Sequence, residues 1–416
     1  MDNLKDYEFL NTPLWLKYTH ERYTPLDDIR YRLDALGMTL KEWPEVKDTV
    51  QRLRRASSIP LYIKEIDKKF WFYPADCINK KLHQIESLGG TLFDLIQRHQ
   101  NFKQEFLINA AVEEAITSAI YEGANSTRSK AKALISSGDK PKDKDEYMLI
   151  NNYLAMKWIK DNVSKQVSKD LILKVHEIVS QNTLEGDDAN FSGKFRNDKV
   201  YVGTHEGVDY TKIEDTLDEV IALTTDNPRY LHGLIKGILL HYFTAYIHPF
   251  FDGNGRTART LFYFKAMKNN LKFVELLSIS ANLKQHGKRY ERSFDLVKEH
   301  QLDLTYFIDF CLDSLLLSLK RVEEKVNFLI TISELITRDG LSETQVSLLQ
   351  KMALNKYKAI SIEEYALDIN KSREISRREL KDLKAKGYVS EHKQGKKFVY
   401  KVNSKYLKES ISLIKS

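Results

Sequence analysis

His248, Asp252, Arg256 and Arg259 fall in one short stretch, HPFFDGNGRTAR, wrapped around Gly253, Asn254 and Gly255. A neutral imidazole can take a proton from a hydroxyl near pH 7. A carboxylate is a hard oxygen ligand for Mg2+. Glycines on both sides of Asn254 permit tight or left-handed backbone. The following RTARTLFYFKAM returns to helical spacing, with Ala258, Phe262 and Ala266 on one side. A glycine-rich turn that opens a helix aims backbone N–H groups at one point, which makes an anion site and a phosphate site above all. Arg256 and Arg259 stand at i and i+3, so both guanidinium groups project from one face and can clamp successive phosphates. Polyphosphate with a metal is the implied ligand. An imidazole beside it would complete a phosphoryl- or nucleotidyl-transfer site.

Other loops are excluded by residue type. A calcium loop of the EF-hand kind needs an acidic or amide group at its fifth position and glycine at its sixth, where Arg256 and Thr257 stand. A Walker loop needs glycines leading into Gly-Lys-Ser/Thr, which is absent. An ordinary surface turn accounts for Gly253 and Gly255 but not for the ordered His, Asp and two Arg around them.

The elements that must position these residues are mostly helical. Leu231 to Ile247 carries apolar residues at helical spacing, interrupted by His232, Lys236 and His241, and is too short to cross a membrane. It reads as a core helix, opened by Asn227 as cap with Pro228 at the first helical position and closed near Ile247 by Pro249. His248 is thereby left at a helix exit. Asn101 to Tyr121, Glu146 to Ile159, Asp170 to Val179 and Leu302 to Ile330 are further helices. Phe191 to Gly203 predicts a short hairpin turning at Asn197-Asp198, with Val200, Tyr201 and Val202 as strand. Ser136 to Glu146 reads as a solvated loop.

A chain of 416 residues predicts two or three domains, and 42% apolar with 30% charged residues is ordinary for a soluble fold. The 2 cysteines, Cys77 and Cys311, lie too far apart in sequence to suggest a Cys-based zinc site or a disulfide framework, and no export signal opens the sequence, so a cytoplasmic protein is expected. The net charge of +7 permits nucleic-acid contact without requiring it. Residues 1–95 form an extension of unassigned role with a strand pair in LYIKEIDKKFWFY, 96–330 the helical core, and 335–405 a third region. That region reads helix, helix, helix and two strands around Gln394-Gly395, and resembles the winged-helix modules of bacterial regulators. In its third helix Ile375, Leu380 and Leu383 face the core and Arg373, Arg377, Arg378, Lys381 and Lys384 face outward. Insertion into a DNA groove is one reading. A solvated or protein-binding face, diluted by Glu374, Glu379 and Asp382, is the other.

The central stretch resembles the signature of Fic-domain proteins: His, any residue, Phe, any residue, Asp or Glu, then Gly-Asn-Gly-Arg and a second Arg three later. His248, Phe250, Asp252, Gly253, Asn254, Gly255, Arg256 and Arg259 meet every defined position. The resemblance extends over roughly residues 101–316. It implies a mainly α fold, a Fic-type helical core with a short β-hairpin flap, and transfer of AMP from ATP with Mg2+ to a hydroxyl of a target protein. By that resemblance His248 is the base and Asp252 the Mg2+ ligand. Asn254 with the amides of Gly253 and Gly255 cradles the anion, and Arg256 and Arg259 hold the β- and γ-phosphates. Thr257 and Ala258 between them belong to the nucleotide-binding set. Val200, Tyr201, Val202 and Gly203 fall at the flap that pins the target backbone, and Tyr290 falls beside the adenine. Upstream, Ser118, Glu122 and Gly123 in TSAIYEG fit the family's inhibitory pattern, in which Glu122 pairs with Arg259 and denies it to the γ-phosphate.

Expected partners are a target protein, this chain itself as acceptor, a second copy and DNA, with no membrane. Removal of AMP by the same site, transfer of UMP or phosphocholine, and a DNA-binding regulator with a sensory core are alternatives. Doc-type kinase chemistry fits less well, because that motif lacks the second glycine.

Overall fold

The structure is a computed structural model, and it describes residues 2–354, 357–394 and 397–407. Packing divides the chain into two compact units: Met1–Gly89 with Ala111–Leu319, and Gly90–Ala110 with Lys320–Ser416. Both are built mainly from helices, as the periodicity predicts. Residues 1–89 share a unit with the central motif, and Arg54 is one tie within it. Its buried guanidinium donates to Thr19, to the carbonyls of Tyr18 and Thr24 and to the hydroxyl of Tyr306. A buried cation with that many acceptors ties its surroundings together, because separating them would strand a charge.

In chain order the first unit contains α1 (Trp43–Ala56), an antiparallel pair β1 (Ile59–Ile63) and β2 (Lys68–Phe72), and α2 (Asp76–Arg98). Next come α3 (Gln100–Tyr121), α4 (Arg128–Ser137), α5 (Lys144–Asp161) and α6 (Lys169–Ser180). A two-residue hairpin, β3 (Tyr201–Val202) and β4 (His205–Glu206), precedes α7 (Ile213–Thr225), α8 (Gly233–Ile247) and α9 (Asn254–Lys268). α10 (Ser280–Glu299) and α11 (Thr305–Ser333) follow. α2, α3 and α11 each contribute residues to both units. The centre is the α8–α9 pair, the most extensively packed in the molecule, with α5 and α6 against α9. Leu234, Ile238, Leu239, Phe243 and Ile247 of α8 and Ala258, Leu261, Phe262 and Phe264 of α9 are wholly buried.

Three sequence-based expectations need correction. α8 starts at Gly233, not at Pro228, because Asn227 accepts from Arg229 N in a local turn and the ring of His232 instead caps the helix by accepting from Leu234 N at 3.1 Å. The hairpin turns after Val202 at Gly203, whose φ is 58°, rather than at Asn197-Asp198. The carbonyl of Asp198 is taken by Arg196, which bends that segment away from strand geometry. The expected loop at 136–146 is shorter, spanning 138–143: Gly138 in left-handed geometry ends α4, and Asp143 caps α5 by accepting from Glu146 N.

The second unit holds α12 (Glu343–Ala353), β5 (Ile360–Ser361), α13 (Ile362–Ile369), α14 (Arg373–Ala385), β6 (Val389–Gln394) and β7 (Lys397–Val402), with strand order β5-β7-β6. Capping boxes at Ser342/Gln345 and Ser361/Glu364 fix the starts of α12 and α13, and Ser372 caps α14. Leu380 and Leu383 are buried as expected, but Ile375 is only half-buried and Ser376 takes the inner position. Gly395 of the expected strand turn lies outside the described residues. Among the described residues no helix is long and apolar enough to cross a membrane.

Candidate functional site

His248 closes α8 in left-handed geometry, φ 53°, with its N–H still donated to Thr244 O. A non-glycine residue holds that conformation only when its surroundings impose it. Here the imposing group is Arg196. Its Nε donates to His248 O at 2.7 Å, its Nη2 reaches the carbonyls of Val208 and Ile247, and its own N–H donates to Pro249 O. The guanidinium thus caps the end of α8 and binds it to the base of the flap, where Val208 N also donates to Ile247 O.

The His248 ring is partly buried, and burial pulls its pKa down to about 4. Its Nδ1 lies 3.3 Å from Ala245 O, a carbonyl that can only accept. The proton therefore sits on Nδ1, and the Nε2 lone pair is open, without a partner among the described residues. That is the state a general base needs.

Phe250 to Asn254 forms a tight loop. The Asn254 side chain folds back on it, accepting from Phe250 N at 3.0 Å and donating to Phe250 O at 2.7 Å. Its side-chain amide therefore holds the loop in shape. Gly253 begins α9 at φ 80°, and its N–H is donated to Asp252 Oδ1, so it too is engaged. The first helical rung is Thr257 N to Gly253 O. The amides of the opening turn, from Asn254 to Arg256, are the ones left to point at a ligand. Thr257 and Ala258, one turn deeper, are fully buried and help seat α9.

The two arginines diverge rather than lie side by side. Arg256 is buried and donates to Val179 O at 2.8 Å and to Asp252 Oδ2 at 3.3 Å. Arg259 turns to α3, where Nε and Nη2 meet Ser118 Oγ at 3.0 and 2.9 Å and Nη2 meets Glu122 Oε1 at 2.7 Å. Burial pulls against the Arg259 charge, but Glu122 beside it, with Tyr290 and Glu114 nearby, outweighs that and the pKa is raised. Tyr121 places its ring 5.6 Å from the Arg259 guanidinium carbon. Gly123, at φ 99°, turns the chain away after Glu122. A side chain at Gly255 would collide with Glu122 Oε1, so the carboxylate lies directly over the opening turn of α9.

Asp252 is exposed at the rim, with one oxygen on Gly253 N and the other on Arg256. Among the described residues no three acidic, His or Cys side chains gather around a metal position. Mg2+ commonly takes one or two carboxylates with substrate phosphates and water, so the single exposed carboxylate fits it.

The flap tip is open, with Tyr201 62% and Val202 48% exposed, while Gly207 N closes on Val200 O. Tyr290 is buried; its hydroxyl lies 3.0 Å from His241 Nε2 and its ring meets Tyr121 edge-on. Two residues that sequence reasoning missed complete the frame. Arg196 is one. His176 is the other: it stacks on Phe250 at 3.6 Å, accepts from Gly193 N and donates to Asp252 O. Its only sequence signal is a polar residue on the apolar face of α6.

In the second unit Arg373, Arg377, Arg378, Lys381 and Lys384 of α14 are all exposed. One of the acids expected to dilute them, Glu379, turns inward, while Asp382 stays partly exposed. Glu379 accepts from Tyr365 and Thr344, and Asp382 from Gln345 and Lys386. Lys384 pairs with Glu391.

Residues 166–265 match the Fic/DOC family. Over 167 residues the chain is 29% identical to the protein adenylyltransferase Fic of Nematostella vectensis, an alignment covering 36% of this chain and 37% of that one. Over 120 residues it is 35% identical to the protein adenylyltransferase Fic of Drosophila willistoni, covering 26% and 22% respectively. The matched part is thus between about a fifth and somewhat over a third of these relatives' length. A Fic family protein from Desulfovibrio desulfuricans G20 superposes with TM-score 0.51 at 16% identity, covering 78% of this chain and 96% of that one, which shows a shared fold. Residues 166–265 are thus distantly similar to proteins of this family.

Proposed function

We propose that the chain is a protein adenylyltransferase held in an inhibited state by Glu122. The observation that carries the reading is the pairing of Glu122 with Arg259 directly above the opening turn of α9, opposite an imidazole whose Nε2 is open. In the reaction, the hydroxyl oxygen of a target Ser, Thr or Tyr bonds to the α-phosphorus of ATP. The bond from that phosphorus to the bridging oxygen breaks and pyrophosphate leaves. The hydroxyl proton passes to His248 Nε2. The amides of Asn254 to Arg256 and the guanidinium of Arg259 bind the phosphates, and the latter is available only once Glu122 has withdrawn. Asp252 would hold Mg2+, which neutralises phosphate charge when bound. The exposed flap offers its edge to the target backbone. Incubation with Mg2+ and α-labelled ATP tests this: label is expected on protein with the Glu122→Gly chain and absent when His248→Ala is added. Equal labelling of both would refute it.

The inward turn of Glu379 favours a second role, because it leaves α14 with a less diluted basic face than its composition implies. We propose that this face binds duplex DNA. The Arg377→Glu/Arg378→Glu chain is then expected to lose duplex affinity, and wild-type affinity to fall steeply with salt. An unchanged affinity and salt slope would rule out that role.

A further inference from the structure

Glu114 has no part in the chemistry above, yet it is a carboxylate 2% exposed in the core of the first unit. It lies on α3 eight residues before Glu122 and four before Ser118, so the three fall along one face of the helix. Its two oxygens accept three hydrogen bonds from the loop entering α10 and from that helix's first residue: Ser278 Oγ at 2.8 Å, Ser280 N at 3.1 Å and Ser280 Oγ at 2.6 Å. Thr117 adds a contact of 3.2 Å to Ser278 Oγ. That loop is itself fixed to α9, because Ile279 N donates to the hydroxyl of Tyr263, and to α11, because Ser278 N donates to Ser318 Oγ. Glu114 therefore joins α3 to a loop anchored on the helix whose first turn Glu122 covers.

A carboxylate buried at this cost is retained only with its donors in place. The Glu122–Arg259 pair is one contact just past the end of α3, where Gly123 N and Ala124 N close the last turn on Ile120 O and Ala119 O, and its lifetime also depends on how firmly the preceding turns are held. We propose that Glu114 is the latch of the inhibitory helix: a positioning residue that acts through Glu122 by holding the last turns of α3 against the loop at 278–280. The inference rests on the inhibitory reading of Glu122.

The test uses the full chain and two readouts: initial rate of label transfer from α-labelled ATP with Mg2+, and backbone amide exchange of residues 111–121. Glu114→Gln is expected to raise the rate about tenfold, the effect of losing roughly one charge-assisted hydrogen bond, and to speed exchange in that segment. Ser278→Ala/Ser280→Ala, which leaves α3 untouched, is expected to do the same. With Glu122→Gly already present, Glu114→Gln is expected to change the rate by less than about twofold, because the latch has nothing left to hold. A rate that falls in both backgrounds would mark Glu114 as a fold support and overturn the proposal. So would a rate that rises by the same factor in both, or amide exchange unaltered by Glu114→Gln. If Glu122→Gly itself fails to raise the rate, the inhibitory reading fails, and the exchange measurement alone then decides whether Glu114 holds α3.

Discussion

Replacing Glu122 by glycine removes one partner of a pair whose geometry sets the expected effect. Arg259 Nη2 and Glu122 Oε1 are 2.7 Å apart, and the two side chains are 2% and 27% exposed. A charge-assisted hydrogen bond of this kind contributes about 1.5–3 kcal/mol. Because roughly a quarter of the Glu122 side chain meets water, the lower half of that range applies. At about 1.4 kcal/mol per factor of ten, the fraction of chains with Arg259 available rises about 10–40-fold. Ser118 still accepts from Arg259 after the change, so the guanidinium keeps its direction while losing its counter-charge. The gain should appear in two assays: the initial rate of AMP transfer at low ATP, and the affinity for Mg-ATP in equilibrium titration. Glu122→Gln, which keeps an acceptor but not the charge, should give a smaller rise of about threefold. If Glu122→Gly left both the rate and the affinity within twofold of wild type, the carboxylate would not be what limits the site.

Burial holds His248 neutral down to about pH 4, so kcat/KM of the Glu122→Gly chain should stay flat from pH 8 to about pH 5 and fall only below that; a midpoint near 6.5 would show the imidazole to be ordinary. His176 and His241, depressed to about 4 and about 3 by burial, take protons near 6.5 in the unfolded chain but not in the folded one. The unfolded state then binds more protons between those values, so stability should fall as pH drops below about 6.5, by at most about 2.7 kcal/mol per pH unit for the two together. Urea midpoints at pH 7, 6 and 5 measure it, and a flat series would contradict the burial argument. Arg196→Ala should lower kcat at least about tenfold with a smaller change in KM, since a slight misplacement of a general base is costly. Arg196→Lys, unable to reach several carbonyls at once, should rescue only in part.

The motif from His248 to Arg259 was legible because its chemistry is local: an exit before proline, a glycine turn and a helix all follow from adjacent residues. The helical layout is legible for the same reason, since apolar residues recur at helical spacing in the sequence. What escaped was set by partners distant in sequence. Nothing near Arg196 says that its guanidinium will collect carbonyls from residues 247, 248 and 208, and nothing near His176 places it on Phe250. The start of α8 was misplaced because Asn227-Pro228 is a good local cap signal, yet a local turn uses the Asn227 side chain. Glu379 reads as a surface acid because helical spacing alone does not reveal Tyr365 beneath it.

The most direct test of the account is the intact mass of the Glu122→Gly chain, and of any acceptor protein present, after incubation with ATP and Mg2+. The expected product is an adduct of one or more AMP groups with matching pyrophosphate release, lost when His248→Ala is added. A phosphate adduct with ADP release, or an AMP adduct undiminished by His248→Ala, would contradict it.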